Sequence, residues 1–149
     1  MNSGPSAHRA RSLARRLALQ ALYQLQINPL PWPDIQRQFA LDPEAERVDL
    51  EYFRGLFAAI APNREALDLQ LVGLCEIPPQ QLDPIEHAVL WLGLHELQSH
   101  PELPYRVALA EAVELTKQFG ATDGHKFVNA VLDRAAQELR PHEYGHLAK

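Results

Sequence analysis

The residues with the clearest chemical potential are four arginines close to the beginning of the chain. Residues 1–33 contain these arginines and no acidic residue, whereas the remainder contains ten Lys/Arg and nineteen Asp/Glu. The four arginines are Arg9, Arg11, Arg15 and Arg16. Guanidinium groups pair with anions and stack on rings, so the segment predicts a local anionic partner. The formal net charge of −5 argues against a protein that coats nucleic acid with its whole surface.

A helical projection separates this segment into two faces. At about 100° per residue, one face carries an apolar stripe for the core, formed by Leu13, Ala14, Leu17, Ala21 and Leu25. The opposite side gathers polar side chains, namely Arg11, Ser12, Arg15, Arg16, Gln20 and Tyr23, with Arg9 at its edge. An aromatic ring stacks on unpaired bases and an amide reads base edges. This pattern favours RNA binding, with a solvated basic face or a lipid-surface helix as alternatives.

A second candidate contact lies at the beginning of the last predicted helix, in Thr122–Asn129. A helix N-terminus offers backbone N–H groups to a phosphate. Lys126 and Phe127 point away from the predicted core stripe of this helix, so the pair could hold a nucleotide by charge and stacking. The alternative is that Phe127 belongs to the core and Lys126 is only solvated.

Catalytic and metal-binding patterns are weak in this sequence. His95 and His100 are five residues apart, which projects them about 140° from one another on a helix, so they cannot share a metal ion from one turn. No Gly-rich phosphate loop and no nucleophile motif occurs. The single cysteine, Cys75, lies in an apolar segment and predicts a buried, inert thiol in a reducing cytoplasm. We therefore expect a binding protein, not an enzyme, without metal or cofactor.

The pattern of apolar residues predicts a single all-α domain of about six or seven helices. The first helix runs from about Arg9 to Ile27, and a short one follows over residues 33–40. Asp49 caps a third, after which Pro62 either kinks the helix or separates it from the next. Asp83 caps an apolar central helix, followed by helices over residues 104–119 and from about 122 to 139. Residues 1–8 and 142–149 are predicted to be tails around a domain at 9–141. No apolar run is long enough to cross a bilayer.

Three blocks together resemble the NusB family of bacterial transcription antitermination factors. The first is Ala14–Gln24 (ARRLALQALYQ), and the second is Asp49–Leu56 (DLEYFRGL). The third joins Leu103–Leu115 to Phe119–Asp133, including HKFVNAVLD. The resemblance covers about residues 9–141. It departs from the family where Ser12 and Leu13 interrupt the arginine cluster, and where Arg16 stands in place of a frequent glutamate.

The resemblance implies two helical subdomains and a role in ribosomal RNA synthesis. It implies binding to the boxA element of nascent ribosomal RNA, as a heterodimer with the small-subunit ribosomal protein NusE. That pair would join RNA polymerase and the other Nus factors in the bacterial cytoplasm and suppress premature Rho-dependent termination. The family's RNA contacts match Arg11, Arg15, Gln20, Tyr23, Lys126 and Phe127. Glu86 and Asp123 match acidic positions at or near the partner and RNA surfaces.

Two other hypotheses remain open at this point. A helical adaptor could engage a basic protein through the acidic remainder of the chain. A detached regulatory domain of an RNA methyltransferase is the other, because some of those enzymes carry a NusB-like domain. The chain stops at Lys149 without a methyl-donor domain, which favours a free-standing factor.

Overall fold

The computed structural model describes residues 5–148, and it confirms the predicted all-α fold class. Over that range the chain forms eight α-helices and three short 3-10 turns, with no strand. The helices are α1 (Pro5–Ile27), α2 (Trp32–Ala40), α3 (Leu50–Ile60), α4 (Arg64–Val72), α5 (Pro84–Ser99), α6 (Tyr105–Phe119), α7 (Gly124–Leu139) and α8 (Pro141–Ala148). The chain divides into two compact units, Met1–Asn63 and Arg64–Lys149.

The first unit is formed by α1, α2 and α3, which pack against one another. Asp49 caps α3, as predicted, because its Oδ1 accepts a hydrogen bond from the backbone N–H of Tyr52 at 3.0 Å. Phe53 and Phe57 lie one turn apart on the buried side of α3, with ring centroids 6.1 Å apart. Burial of each such side chain stabilises the fold by about 1.5–3 kcal/mol. The Phe57 ring also lies 6.2 Å from that of Trp32 in α2, so this cluster joins α3 to α2.

The first helix begins earlier than its sequence pattern predicts. α1 begins at Pro5, so residues 5–8 are helical and do not form part of a flexible tail. Residues 1–4 of that predicted tail lie outside the described residues. Proline suits the first turn of a helix because its missing N–H is not needed there. At the other end, the predicted termination at Ile27 is confirmed.

The connection after α3 resolves the alternatives that Pro62 left open. Residues Ala61–Asn63 form a 3-10 turn between α3 and α4, so Pro62 separates two helices and does not kink one. The turn places the boundary between the two compact units at residues 63 and 64.

The second unit is built around α5, on which α6 and α7 pack. Asp83 caps α5 as predicted, accepting hydrogen bonds from the backbone N–H groups of Ile85 and Glu86 at 2.9 and 3.2 Å. Gly93 in the middle of α5 lies directly under Leu132 of α7, where a Cβ atom would collide with the leucine side chain. Glycine therefore allows the two helices to approach closely.

Residues 142–149 are predicted to be a tail, but Pro141–Ala148 form α8, and residue 149 lies outside the described residues. Pro141 starts this helix directly after Arg140, because proline is accepted in a first turn as well as after a helix end. The buried Arg140 side chain donates to the carbonyl oxygens of Leu97 at 2.8 Å and His100 at 2.9 Å, and to Glu143 at 2.7 Å. Glu143 also accepts a hydrogen bond from the backbone N–H of Tyr105 at 2.8 Å. These bonds connect α8 to the end of α5 and the beginning of α6.

None of the helices between residues 5 and 148 combines the length and apolar character that spanning a membrane requires.

Candidate nucleic-acid interface

The outward face of α1 carries four of the predicted RNA-contacting residues. Arg9 and Tyr23 are exposed, and Arg16 and Gln20 are partly exposed. At about 100° per residue these four positions fall within about 60° of one another around the helix. We call Arg9, Arg16, Gln20 and Tyr23 the outer face. It offers two guanidinium groups, one amide and one aromatic ring on a rigid helix.

The predicted placement of Arg15 on the solvated side of α1 is wrong. Its side chain is buried, with 2% relative exposure. Arg15 precedes Ala18 and Leu22 by three and seven residues, a spacing that places all three on one side of a helix, and both apolar residues are fully buried. Arg15 therefore occupies the border of the core. The apolar stripe of α1 is wider than the sequence pattern indicates.

Arg11 lies one turn before Arg15 and remains partly accessible, with 47% of its side chain exposed. Its guanidinium carbon lies 4.6 Å from the centroid of the Tyr52 ring, and that of Arg15 lies 5.4 Å from the same centroid. The Nε of Arg11 is also 3.7 Å from Oδ2 of Asp49. Arg11 is thus held at the junction between α1 and the first turn of α3.

The other predicted contacts, Lys126 and Phe127, lie at the beginning of α7 in the second unit. The Lys126 side chain is 73% exposed, and its Nζ is 3.5 Å from Oδ1 of Asp123, whose side chain is 76% exposed. Phe127 is half-buried, which is intermediate between the exposed stacking residue and the core residue that the sequence left as alternatives. Two backbone donors of this turn are already used, because Gly124 N–H bonds to Ala121 and Lys126 N–H bonds to Asp123. Side chains, more than backbone N–H groups, are what this turn offers to a ligand.

Glu86 of α5 lies beside the same turn. A Cβ atom on Gly124 would collide with the Glu86 carboxylate, so the absence of a side chain at residue 124 makes room for it. Burial, and secondarily the charge of Asp83, raises the pKa of Glu86. Glu86 and Asp123 therefore put two carboxyl groups at the beginning of α7, one beside Gly124 and the other beside Lys126.

No group of three His, Cys, Asp or Glu side chains suited to a metal ion is found among the described residues. The rings of His95 and His100 lie 5.2 Å apart. Burial, with a smaller contribution from His100, lowers the pKa of His95 to about 4. Cys75 is half-buried, not buried as predicted, and burial raises the pKa of its thiol. A thiol with a raised pKa has little thiolate, the reactive form, at neutral pH.

Tyr52 and Asp49 are parts of the arginine site that sequence reasoning did not assign. Both lie in the segment Asp49–Leu56, where the sequence indicates a helix start and one of the three family blocks, but no contact with the arginines. The contact between this start and α1 depends on how the helices pack, and residue spacing within either helix does not encode it. The position of a capped turn beside an arginine cluster becomes visible only in the folded unit.

Comparison with known proteins assigns a family to this chain. The sequence model of the NusB family matches residues 12–137. The transcription antitermination protein NusB of Methylobacillus flagellatus is 44% identical over 140 residues, covering 94% of this chain and 91% of that protein. Its namesake from a Marinomonas species is also 44% identical, covering 93% of this chain and 81% of that protein.

Solved structures agree with that assignment. T. maritima NusB superimposes with a TM-score of 0.79 at 28% identity, covering 91% of this chain and 96% of that one. A crystal structure of the antitermination factors NusB and NusE in complex with double-stranded RNA shares the fold. It matches with a TM-score of 0.76 at 22% identity, covering 87% of this chain and 98% of that one. The chain belongs to the NusB family of transcription antitermination proteins.

Proposed function

We propose that this protein binds the boxA element of nascent ribosomal RNA together with the ribosomal protein NusE. In this proposal the pair joins RNA polymerase and other Nus factors and suppresses premature Rho-dependent termination in the bacterial cytoplasm. The observation that carries the proposal is the outer face of α1, where two arginines precede a glutamine and an exposed tyrosine on the same side of the helix. Arginine supplies charge for phosphates, and the aromatic ring supplies a stacking surface for an unpaired base.

The proposed RNA contacts fall into two separate parts, one in each unit. Arg11 and the outer face form the first part, and Lys126 with Phe127 forms the second. Glu86 and Asp123 lie beside the second part and are proposed to contact the basic protein partner, because carboxylates complement a basic surface. The proposed role is binding, and it includes no catalytic step, metal or cofactor.

A titration of boxA RNA with the full chain tests the proposal. The labelled RNA is titrated at a fixed ionic strength with and without NusE, beside an RNA of the same composition in scrambled order. We expect tighter binding to boxA than to the scrambled RNA, and stronger binding when NusE is present. Absence of RNA binding in both conditions would overturn the proposal. A retained NusE complex in that case would favour the protein-binding adaptor.

A further inference from the structure

The first turn of α3 lies beside the arginines of α1. The aromatic ring of Tyr52 has two guanidinium groups near it, at 4.6 Å for Arg11 and 5.4 Å for Arg15. Both distances are within the range of about 6 Å over which a cation is attracted to an aromatic face. Tyr52 itself is 9% exposed, so it offers almost no surface to a ligand.

Backbone and side-chain contacts fix this turn relative to α1. The backbone N–H of Asp49 donates to the carbonyl oxygen of Ala10 at 3.0 Å. One carboxylate oxygen of Asp49 accepts from the backbone N–H of Tyr52, and the other lies 3.7 Å from Nε of Arg11. Asp49 therefore joins the backbone of the first turn of α3, which carries Tyr52, to Arg11, the arginine that remains accessible.

Stacking on a ring leaves the chemistry of a guanidinium group available. The five N–H donors of arginine lie in the plane of the group, so an aromatic ring on its face does not occupy them. Arg11 can thus remain over Tyr52 and still direct N–H groups at a phosphate. A long side chain that is ordered before binding loses less conformational entropy when the ligand arrives.

We infer that Tyr52, held by Asp49, is a positioning residue that prepares Arg11 for a nucleic-acid phosphate. Arg15, at 2% exposure, contributes to the same arrangement from inside and does not touch the ligand. The inference rests on the proposed function for the nature of the ligand. The ordering of Arg11 by the ring does not depend on it.

The binding experiment compares Tyr52→Leu with Tyr52→Phe, using the full chain and boxA RNA over a range of salt concentrations. Tyr52→Leu removes the ring, and we expect a roughly fivefold lower affinity because the cation–ring interaction is removed. The magnitude of the slope of log K against log salt should also fall, by about 0.7 for each phosphate that the variant no longer neutralises. Tyr52→Phe keeps the ring, so its affinity and slope should remain within about twofold of the original protein.

Tyr105→Leu is the matched control for a loss of stability alone. Tyr105 is also buried, and the guanidinium carbon of Arg106 lies 5.9 Å from its ring centroid, but it belongs to the second unit. We expect this variant to lower the free energy of unfolding without changing the salt slope. An unchanged slope and affinity in folded Tyr52→Leu would overturn the inference.

A second measurement tests the ordering without RNA. Nuclear magnetic resonance relaxation of the arginine Nε–H groups reports how rigid each side chain is. Arg11 should be more ordered in the original protein and in Tyr52→Phe than in Tyr52→Leu. Equal mobility of Arg11 in all three proteins would refute the positioning role even if RNA binds. Failure of the original protein to bind boxA RNA, with Arg11 ordered by Tyr52, would instead refute the proposed function.

Discussion

The ion pair between Lys126 and Asp123 limits the positive charge available at the beginning of α7. Both side chains are largely exposed and their charged atoms lie 3.5 Å apart. Exposed pairs of this kind contribute little to stability because water and salt screen them. The same acidic group does lower the local potential that a phosphate would meet. Its effect should therefore be visible in binding and not in folding.

Asp123→Asn should strengthen boxA binding by roughly twofold to fivefold at low salt, with a smaller gain at high salt. The amide keeps the size of the side chain and removes its charge. Affinity measured at two ionic strengths, with NusE absent, checks the prediction. Glu138→Gln, an exposed charge removal near the other end of α7, serves as the control. An equal gain from both variants would show that only net charge matters.

Arg15 and Arg16 are neighbours in the sequence with opposite roles in the structure. Arg15 is buried, whereas Arg16 belongs to the outer face. Arg15→Gln should lower the free energy of unfolding by about 3 kcal/mol, since it removes one member of a buried polar arrangement. Arg16→Gln should leave stability within about 0.5 kcal/mol and weaken RNA binding. Chemical denaturation and RNA titration of both variants make the comparison. Equal losses of stability would contradict the assignment.

These two arginines also show which single-residue positions can be predicted from the sequence and which cannot. The positions of Arg9, Arg16, Gln20 and Tyr23 on one side of α1 follow from helical spacing, and the structure confirms their shared exposure. Spacing places Arg15 beside the buried Ala18 and Leu22, but the Tyr52 ring that lies near its guanidinium group comes from another helix. Charged residues are normally assigned to solvent, so this one was assigned to the wrong side.

At the scale of elements, the end of α5 depends on a side chain from beyond α7. The last carbonyl groups of a helix have no partners inside the helix. Arg140 donates hydrogen bonds to the carbonyl oxygen of Leu97, in the last turn of α5, and to that of His100, directly after the helix. Glu143 holds the guanidinium group in place. A single arginine thereby caps the end of α5 and holds the connection between α5 and α6.

Arg140→Ala should destabilise the second unit by about 3 kcal/mol, because it leaves the buried Leu97 carbonyl group and one carboxylate oxygen of Glu143 without the donor that Arg140 supplies. Urea unfolding measures the change, and amide hydrogen exchange should show faster opening at the end of α5. Arg106→Ala, which removes an exposed arginine from α6, is the control and should change stability by less than about 0.5 kcal/mol. A loss no larger than that of the control would argue against the capping role.

His95 makes the stability of α5 dependent on pH. Its pKa is lowered to about 4 in the folded protein, mainly by burial, against about 6.5 in an unfolded chain. Between these two values the unfolded state binds a proton that the folded state does not, so stability falls as the pH falls from about 6.5 towards 4. Above pH 7 the group is neutral in both states and has no effect.

Between pH 7 and pH 5, His95→Gln should lose about 1 kcal/mol less stability than the original protein, after allowance for solvent screening of a half-buried group. Urea unfolding at several pH values measures this difference. His142→Gln, at an exposed position of α8, should follow the original protein. Parallel pH profiles for all three proteins would contradict the prediction.

The helices themselves were largely predictable, and the exceptions have local causes. The caps Asp49 and Asp83 mark the beginnings of α3 and α5 in the sequence as clearly as in the structure. Residues 5–8 extend α1 although their small and polar character predicts a tail, and α8 begins at Pro141, a residue that indicates a helix end as readily as a beginning. The sequence alone does not distinguish these two uses of proline, since both require the same backbone angle.

At the scale of the whole molecule, the location of charge matters more than its total. The net charge of the chain is −5, yet residues 1–33 contain four arginines and no acidic residue. An anion approaching the chain therefore meets attraction at one region and repulsion over most of the remainder. The expected binding mode is local, with few phosphates neutralised.

Arg9→Gln combined with Arg16→Gln should weaken boxA binding roughly tenfold, on the basis of two charge-assisted contacts, and should reduce the salt slope by about 1.4. Arg37→Gln combined with Arg47→Gln makes the same change in net charge at exposed positions outside α1 and should have little effect on either quantity. Titrations at four salt concentrations compare the two pairs. Equal slopes for both would indicate that binding responds to net charge and not to the outer face.

The network around Arg140 has a consequence for the order of events during protein synthesis. Arg140 is translated 43 residues after Leu97, whose carbonyl group it serves. At about 5–20 residues per second, the end of α5 waits roughly 2–9 seconds on the ribosome for its partner. All three helices of the first unit are complete by Ile60, well before that time. The nascent chain therefore presents a finished arginine-bearing unit while the second unit still lacks the residues that close it.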